Sequence, residues 1–494
     1  KYAMVKLKTS HRVNIILGPP GTGKTTALLN IVDEAIESGI PPERIAFLAF
    51  TRKAANEAIE RAIARFGFDE DRMPFFRTIH SLAFKQLGLR SDEVMTPSHY
   101  KKFGRAMCLT FKVIYDEFTM LPVGDGLGDK CARIDALARI TMRTTEQQFE
   151  LSNVTDLTYH AVEQYKQTLK KYKHEFGLFD FTDMLEKYEG TLPVDVCIFD
   201  EAQDLSSLQY RLGIRLAKSA KKVFIAGDDD QAIFGWAGAD VNKFLSLKGN
   251  KIVLPQSYRI PSTIHHLANK ILKRIKKRYS KTWHPREYEG AVEWVASEQE
   301  INLKGDWLLL ARSKYLLNRC KQVAIQQGRG YTIHNNSSLN TDITKAIVSW
   351  ESLRKGNKLS LSEAKNVLKF IPIKHKLEDL ETYGVNDIGL PKDMLKQSWL
   401  KVLKLIPLQD REYLRACLRN GEKFSDKPKI IISTIHQIKG GEADNVLLLT
   451  DMGKKSFDNI YSDEELRVWY VAITRAKNKL YIVQPRTLKH FDFN

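Results

Sequence analysis

The stretch Gly18-Pro19-Pro20-Gly21-Thr22-Gly23-Lys24-Thr25-Thr26 limits what this chain can fold into more than any other. It follows the apolar run Val13–Leu17 and precedes the amphipathic run Ala27–Ile36, so it reads as strand, glycine loop, helix. The spacing G-x-x-x-x-G-K-[ST] is met by Gly18, Gly23, Lys24 and Thr25. Glycines let successive backbone N–H groups curl inward, and the helix N-terminus adds positive field at the same place. Gly18, Pro19, Gly21, Thr22, Gly23, Lys24, Thr25 and Thr26 are therefore candidates for cradling a triphosphate. Lys24 would reach the terminal phosphates, and the Thr25 hydroxyl would ligate Mg²⁺.

A loop of this kind needs a parallel α/β sheet behind it, and the rest of the chain supplies strand patterns. Arg44–Phe50 is followed by the alanine-rich helical run Thr51–Ile59, with Thr51, Arg52 and Lys53 at a helix N-terminus suited to anions. Thr78 and His80 repeat a hydroxyl and an imidazole at an element boundary. Val194–Phe199 ends in Asp200-Glu201, where Asp200 would hold Mg²⁺ and Glu201 would take a proton from the attacking water. Lys222–Ala226 leads to Gly227-Asp228-Asp229-Asp230-Gln231, placing Gln231 to sense a γ-phosphate. Phe234 and Trp236 follow on a glycine-rich loop and offer stacking faces for bases. A basic helix is expected over Ile271–Lys281.

A second α/β texture begins near Gly290, with strands expected at Ala291–Val295, Trp307–Arg312, Tyr331–His334, Lys429–Thr434, Ala443–Thr450 and Lys479–Val483. Two stretches carry helical periodicity instead. The expected organisation is a first α/β domain (1–86 and 178–260) with a helical insertion (87–177), and a second (261–337 and 427–494) with its own (338–426).

The chain has 494 residues, enough for two to four domains, and 77 Lys plus Arg against 59 Asp plus Glu give a net charge of +18. That excess favours a polyanionic partner. Five scattered cysteines with no C-x-x-C pair argue against a disulfide framework or a zinc ribbon. No apolar run approaches a membrane span, and Lys1–Arg12 is basic without a signal-peptide core. An intracellular, cytoplasmic protein without membrane contact is expected.

Taken in order, these segments resemble the UvrD/Rep family of superfamily 1 DNA helicases. Gly18–Thr26 is similar to motif I, Ala49–Ala62 to Ia, Thr78–Leu82 to Ib, Phe199–Asp204 to II, and Gly227–Trp236 to III. Gln256–Arg259 is similar to motif IV, Thr434–Glu442 to V, and Tyr470–Ala476 to VI. Phe179–Leu185 matches the acidic-apolar lead-in to motif II. The resemblance implies two RecA-like, P-loop-type parallel-sheet domains, each with a mainly helical insertion, and ATP with Mg²⁺ as cofactors. It implies catalytic roles for Lys24, Glu201 and Gln231, and arginine fingers at Arg259 and Arg475. Tyr258 would stack on adenine and Glu442 would hold the ribose. Single-stranded DNA and single-strand/duplex junctions would be the partners, with replication or repair proteins beside them. Thr51, Thr78, His80, Phe234, Trp236, Thr434 and His436 would face the strand. The implied activity is 3′–5′ translocation with duplex unwinding, driven by closure of the two domains on ATP. The alternatives are a translocase that strips proteins with little unwinding, since the second insertion is short for the family, or the motor of a helicase–nuclease. Thr26 and Ala237 stand where the family often has arginine, Gly441 and Ala443 replace apolar residues beside Glu442, and no adenine-reading glutamine is evident in Lys1–Val13.

Overall fold

The structure is a computed structural model that describes residues 11–116, 118–373 and 377–493, with the side chain of Lys53 left out. The basic residues read at Lys1–Ser10 and the Lys53 ammonium lie outside the described residues. The chain forms two compact units. The first comprises the chain up to Tyr288 with Tyr461–Tyr470; the second comprises Glu289–Ile460 with the chain from Val471 onward.

The first unit is built on β1 (Val13–Leu17), β2 (Ile45–Ala49), β3 (Phe76–Thr78), β4 (Val196–Phe199), β5 (Lys222–Gly227) and β6 (Asn250–Val253). They lie in the order β3-β2-β4-β5-β1-β6, and every neighbouring pair is parallel. Strands β2 and β4 are apolar throughout (IAFLA, VCIF) because helices cover both faces of such a sheet. Helix α1 (Lys24–Glu37) buries Leu28, Leu29, Ile31 and Val32, and with α2 (Arg52–Phe66) it packs on Phe47, Ile198 and Phe224. All the carboxyl ends open on one edge, where an open parallel sheet binds ligands.

Helices Pro97–Met107, Leu127–Thr141, Thr145–Ser152 and Tyr159–Phe176 enclose a separate core around Phe103, Phe111, Ile134, Tyr165 and Leu169. The segment after them is their anchor. Asp180 and Asp183 cap helix Phe181–Lys187 reciprocally, and both carboxylates receive Arg139 and Lys173 from the insertion at 2.5–2.9 Å. The acidic lead-in therefore ties the helical layer to the sheet.

The second unit holds β7 (Ala291–Val295), β8 (Trp307–Ala311), β9 (Tyr331–Ile333) and β10 (Asn336–Ser337). A separate two-stranded pair, β11 (Leu359–Ser360) and β12 (Thr382–Tyr383), sits among the helices that follow. The sheet is completed by β13 (Ile430–Thr434), β14 (Ala443–Leu449) and β15 (Ala476–Val483), in the order β10-β9-β13-β8-β14-β15-β7. Only the β9–β10 pair is antiparallel among the described strands of this sheet. Residues 343–424 carry their own core around Trp350, Val367, Tyr383, Trp399 and Leu414. The fold class read from the sequence, α/β with two parallel sheets, is the one observed.

Two expectations meet a different structure. The compact division falls at Tyr288 rather than at 260/261, because 255–262 runs beside 284–288. Ser257 N–H donates to His284 O, His284 N–H to Pro255 O, and Arg286 N–H to Ile260 O. The basic run Ile271–Lys281 is also not a helix. The helix is Ser262–Leu272, and the chain then turns so that Arg278 and Lys281 point into the sheet's carboxyl edge. No described helix is long and apolar enough to cross a membrane.

Candidate nucleotide and DNA site

The glycine loop closes on the end of β5: Gly18 N–H donates to Gly227 O at 3.0 Å, while Thr22 donates through both N–H and Oγ1 to Pro19 O. A Cβ on Gly18 would lie 2.8–3.0 Å from Cβ, Cγ and Cδ of Lys24, so the lysine stem crosses that glycine face to face. Gly21 has φ +70, and a Cβ there would meet Cβ of Arg259 at 2.3 Å. Ser257 Oγ donates to Pro20 O and Tyr258 N–H to Gly21 O, both at 2.8 Å. The 257–259 segment is thus clamped over the loop. It sets Arg259 beside the cradle and leaves the Tyr258 ring 38% exposed. Thr25 is half-buried and Thr26 exposed at the start of α1.

The acids expected to face the loop do so. Lys24 Nζ lies 2.5 Å from Glu201 Oε1 and 3.7 Å from Asp200 Oδ1. Burial alone would lower the Lys24 pKa, but Glu201 and Asp200 outweigh it and hold the ammonium above its ordinary value. Asp200 is buried, which pushes its carboxyl up to about 6 against the pull of Lys24. Glu201 adopts φ 51, a left-handed conformation costly for a non-glycine residue. For Mg²⁺, the donors at hand are the Thr25 hydroxyl and the Asp200 carboxylate. A hydroxyl beside a buried carboxylate, whose charged form a nearby cation would favour, is an oxygen donor set that fits a hard divalent ion.

Gln203, within the segment similar to motif II, joins the two strand ends. Its Nε2 donates to Glu201 Oε2 at 2.5 Å, and its Oε1 accepts from Asp228 N–H at 3.0 Å. Asp228 Oδ2 in turn accepts from Gln231 Nε2 at 2.8 Å. The carboxylates of Asp228, Asp229 and Asp230 converge within 4.8 Å, a metal-like grouping. Its cation is Lys281: Nζ lies 3.0, 2.7 and 2.7 Å from the three acids, and all four side chains are 0% exposed. Arg278 adds a two-pronged pair to Asp230, both contacts at 2.7 Å. Local sequence could not single out Lys281 or Arg278, because they read as two members of a basic run.

The residues expected on the DNA side fall into two groups. Trp236 is 40% exposed on the turn Gly235–Ala237. Phe234 is a correction: it is 1% exposed, its ring 5.9 Å from Phe50 and 5.8 Å from Phe118, so it fills the core and presents no face to a base. An aromatic two residues away on the same loop points the opposite way, as a tight turn demands. Thr51 and Thr78 cap α2 and α3 (Ile79–Gln86), each Oγ1 accepting from the N–H three residues on at 3.2 Å. Capping uses the oxygen as acceptor and leaves the hydroxyl proton available to donate.

His80 is half-buried, edge-on to Phe181, in a cavity lined also by Thr78, Phe50 and Phe234. Burial pushes its imidazole down to about 4, so at neutral pH the ring is neutral. Between about 4 and 6.5 the unfolded chain binds the proton and the folded chain does not, so stability rises with pH across that window. Denaturant unfolding from pH 4.5 to 7 is expected to show that rise, and His80→Gln to flatten it; an unchanged slope in the variant would contradict the assignment.

In the second unit, Thr434 is buried at the end of β13, donating to Gln437 Oε1 and accepting from Gln437 N–H. His436 is half-buried and Glu442 exposed just before β14. Arg475 is 1% exposed, its guanidinium donating to the carbonyls of Val471 at 3.0 Å and Gly441 at 3.2 Å. These hold Arg475 between the segments bearing motifs V and VI.

Residues 3–251 match the family model described as the UvrD/REP helicase N-terminal domain, and residues 139–487 match that of the UvrD-like helicase C-terminal domain. The chain is 24% identical to ATP-dependent DNA helicase YjcD of Bacillus subtilis, over 95% of this chain and 76% of that protein. It is 23% identical to a DNA helicase II homolog of Rickettsia conorii, over 97% and 91%. It is 25% identical to ATP-dependent DNA helicase PcrA of Staphylococcus aureus, over 56% and 40%. With a phosphate loop, its acids and both family models laid along one chain, this protein belongs to the UvrD/Rep family of helicases, enzymes that hydrolyse ATP.

Proposed function

We propose that the protein is an ATP-driven motor that moves 3′ to 5′ along single-stranded DNA and separates duplex ahead of it. One observation carries the reading: a single parallel-sheet edge is divided between two chemistries. The β4-β5-β1 half bears Asp200, Glu201, Gln231 and the glycine loop, and the β3-β2 half bears Thr78 and Thr51. A nucleotide-driven shift in one half is then transmitted through hydrogen-bonded strands to the other.

In this reading Lys24 leaves Glu201 for the β- and γ-phosphates, while Gln203 keeps its hold on the carboxylate. Freed of the lysine, Glu201 accepts a proton from the attacking water. Mg²⁺, held by Thr25 and Asp200, would neutralise charge on the phosphates. Gln231 contacts the γ-phosphate, Arg259 and Arg475 act as arginine fingers, Tyr258 stacks on adenine and Glu442 holds the ribose. Guanidinium suits the finger role as a rigid fork that stays charged. Lys24, Glu201 and Arg259 belong to the first unit and Arg475 to the second, so the proposal includes closure of the two units on ATP. Trp236 stacks on bases, with Thr51, Thr78, His80, Thr434 and His436 along the strand.

The test is ATP turnover with and without single-stranded DNA. Stimulation of roughly tenfold or more is expected. Hydrolysis indifferent to single strands would overturn the motor reading.

A further inference from the structure

The acidic tip of helix Asp463–Ile473 holds two loops of the first unit at once. Glu464 Oε1 accepts the N–H of Trp236 at 3.1 Å. The same carboxylate lies so close to the preceding residue that a Cβ on Gly235 would meet Oε2 at 2.6 Å and Cδ at 2.9 Å. The turn that displays Trp236 therefore rests on Glu464, and Gly235 is the residue that permits the approach. One position earlier, Asp463 accepts the N–H groups of Lys276 and Lys277 at 2.9 and 2.8 Å, and one turn later Arg467 donates to Lys277 O at 2.5 Å. Those two residues lead directly into Arg278 and Lys281, which hold Asp228–Asp230. Asp228 holds the Gln231 amide.

We propose that Glu464 is a positioning residue for single-strand engagement. Its carboxylate fixes the Gly235–Trp236 turn to the helix that also braces the segment behind Gln231. Stacking of a base on Trp236 is thereby registered by the phosphate-sensing loop. The same helix ends two residues before Arg475 along the chain. Trp236 lies five residues beyond Gln231, across a loop whose Ala232, Ile233 and Phe234 are buried, and Glu464 supports the exposed end of that loop from a separate helix. The inference rests on the reading that Trp236 stacks on DNA.

The experiment titrates a thymidine homopolymer into the full chain at saturating ATP, using Glu464→Ala, Glu464→Gln and Trp236→Ala. For Glu464→Ala the DNA concentration giving half-maximal stimulation is expected to rise roughly fivefold, with KM for ATP little changed. Glu464→Gln keeps an acceptor oxygen for the Trp236 N–H and is expected to recover most of the loss. A Glu464→Ala protein with wild-type DNA response would overturn the inference. So would a glutamine variant as impaired as the alanine one, or KM for ATP rising in parallel, since these mark a charge or folding effect. Trp236→Ala separates the two readings. If it leaves DNA stimulation intact, the stacking role itself fails; if it abolishes stimulation while Glu464→Ala does not, only the Glu464 inference fails.

Discussion

Replacing Glu201 by Gln is expected to lower kcat for ATP hydrolysis by about 10²–10⁴-fold while leaving ATP binding intact. The amide keeps the size of the side chain and its hydrogen bond to Gln203 but cannot take a proton from water. In the proposed reading the phosphates are held by the glycine loop and Lys24, not by Glu201. Removing Glu201 as a partner 2.5 Å from Lys24 frees the ammonium for phosphate, so affinity for ATP should hold or improve. Single-turnover hydrolysis alongside nucleotide binding checks both halves. Loss of affinity with turnover per bound ATP preserved would mean that Glu201 only places Lys24.

The second large effect is on stability. Lys281→Met would leave Asp228, Asp229 and Asp230 converging in a dry site without their central cation, at a cost of about 3–5 kcal/mol. Arg278 reaches only Asp230 and cannot replace it. Burial alone would raise the Asp230 pKa, but Lys281 and Arg278 outweigh it and hold the carboxyl below 3.8. Its contribution is therefore in force above that pH and is lost as pH falls through the depressed value. Denaturant unfolding should show the loss, and adding Asp229→Asn should recover part of it, because one uncompensated charge is removed. An additive double variant would contradict a shared cluster. The expected kinetic companion is weakened ATP turnover through Asp228 and Gln231, even where the protein stays folded.

How far the sequence reached depends on the range over which each feature is encoded. The glycine loop, Asp200-Glu201 and Gln231 are each local: a strand, a turn and one or two chemical groups. The parallel order of β1, β4 and β5 then brings them together without further specification. Most strands of both sheets were legible because buried parallel strands are apolar runs, whereas the short strands β3 and β10 and the half-buried β6 gave no such run. What stayed hidden was long-range. Lys281 looks like any other lysine of the basic run Ile271–Lys281 until the chain folds back onto Asp228–Asp230 some fifty residues earlier. Phe234 and Trp236 have the same composition signal, and only the turn between them decides that one is core and the other surface. The threonines at 51 and 78 are both caps and strand-facing candidates, a case where the structural and functional readings coincide.

The most direct test of the motor account is unwinding of a duplex carrying a single-stranded tail at its 3′ or its 5′ end, with ATP and Mg²⁺, using the native chain and Glu201→Gln. The account predicts that the native protein separates the 3′-tailed duplex, leaves the 5′-tailed one paired, and loses the activity with Glu201→Gln. Separation from the 5′ tail, or separation that survives Glu201→Gln, would contradict it.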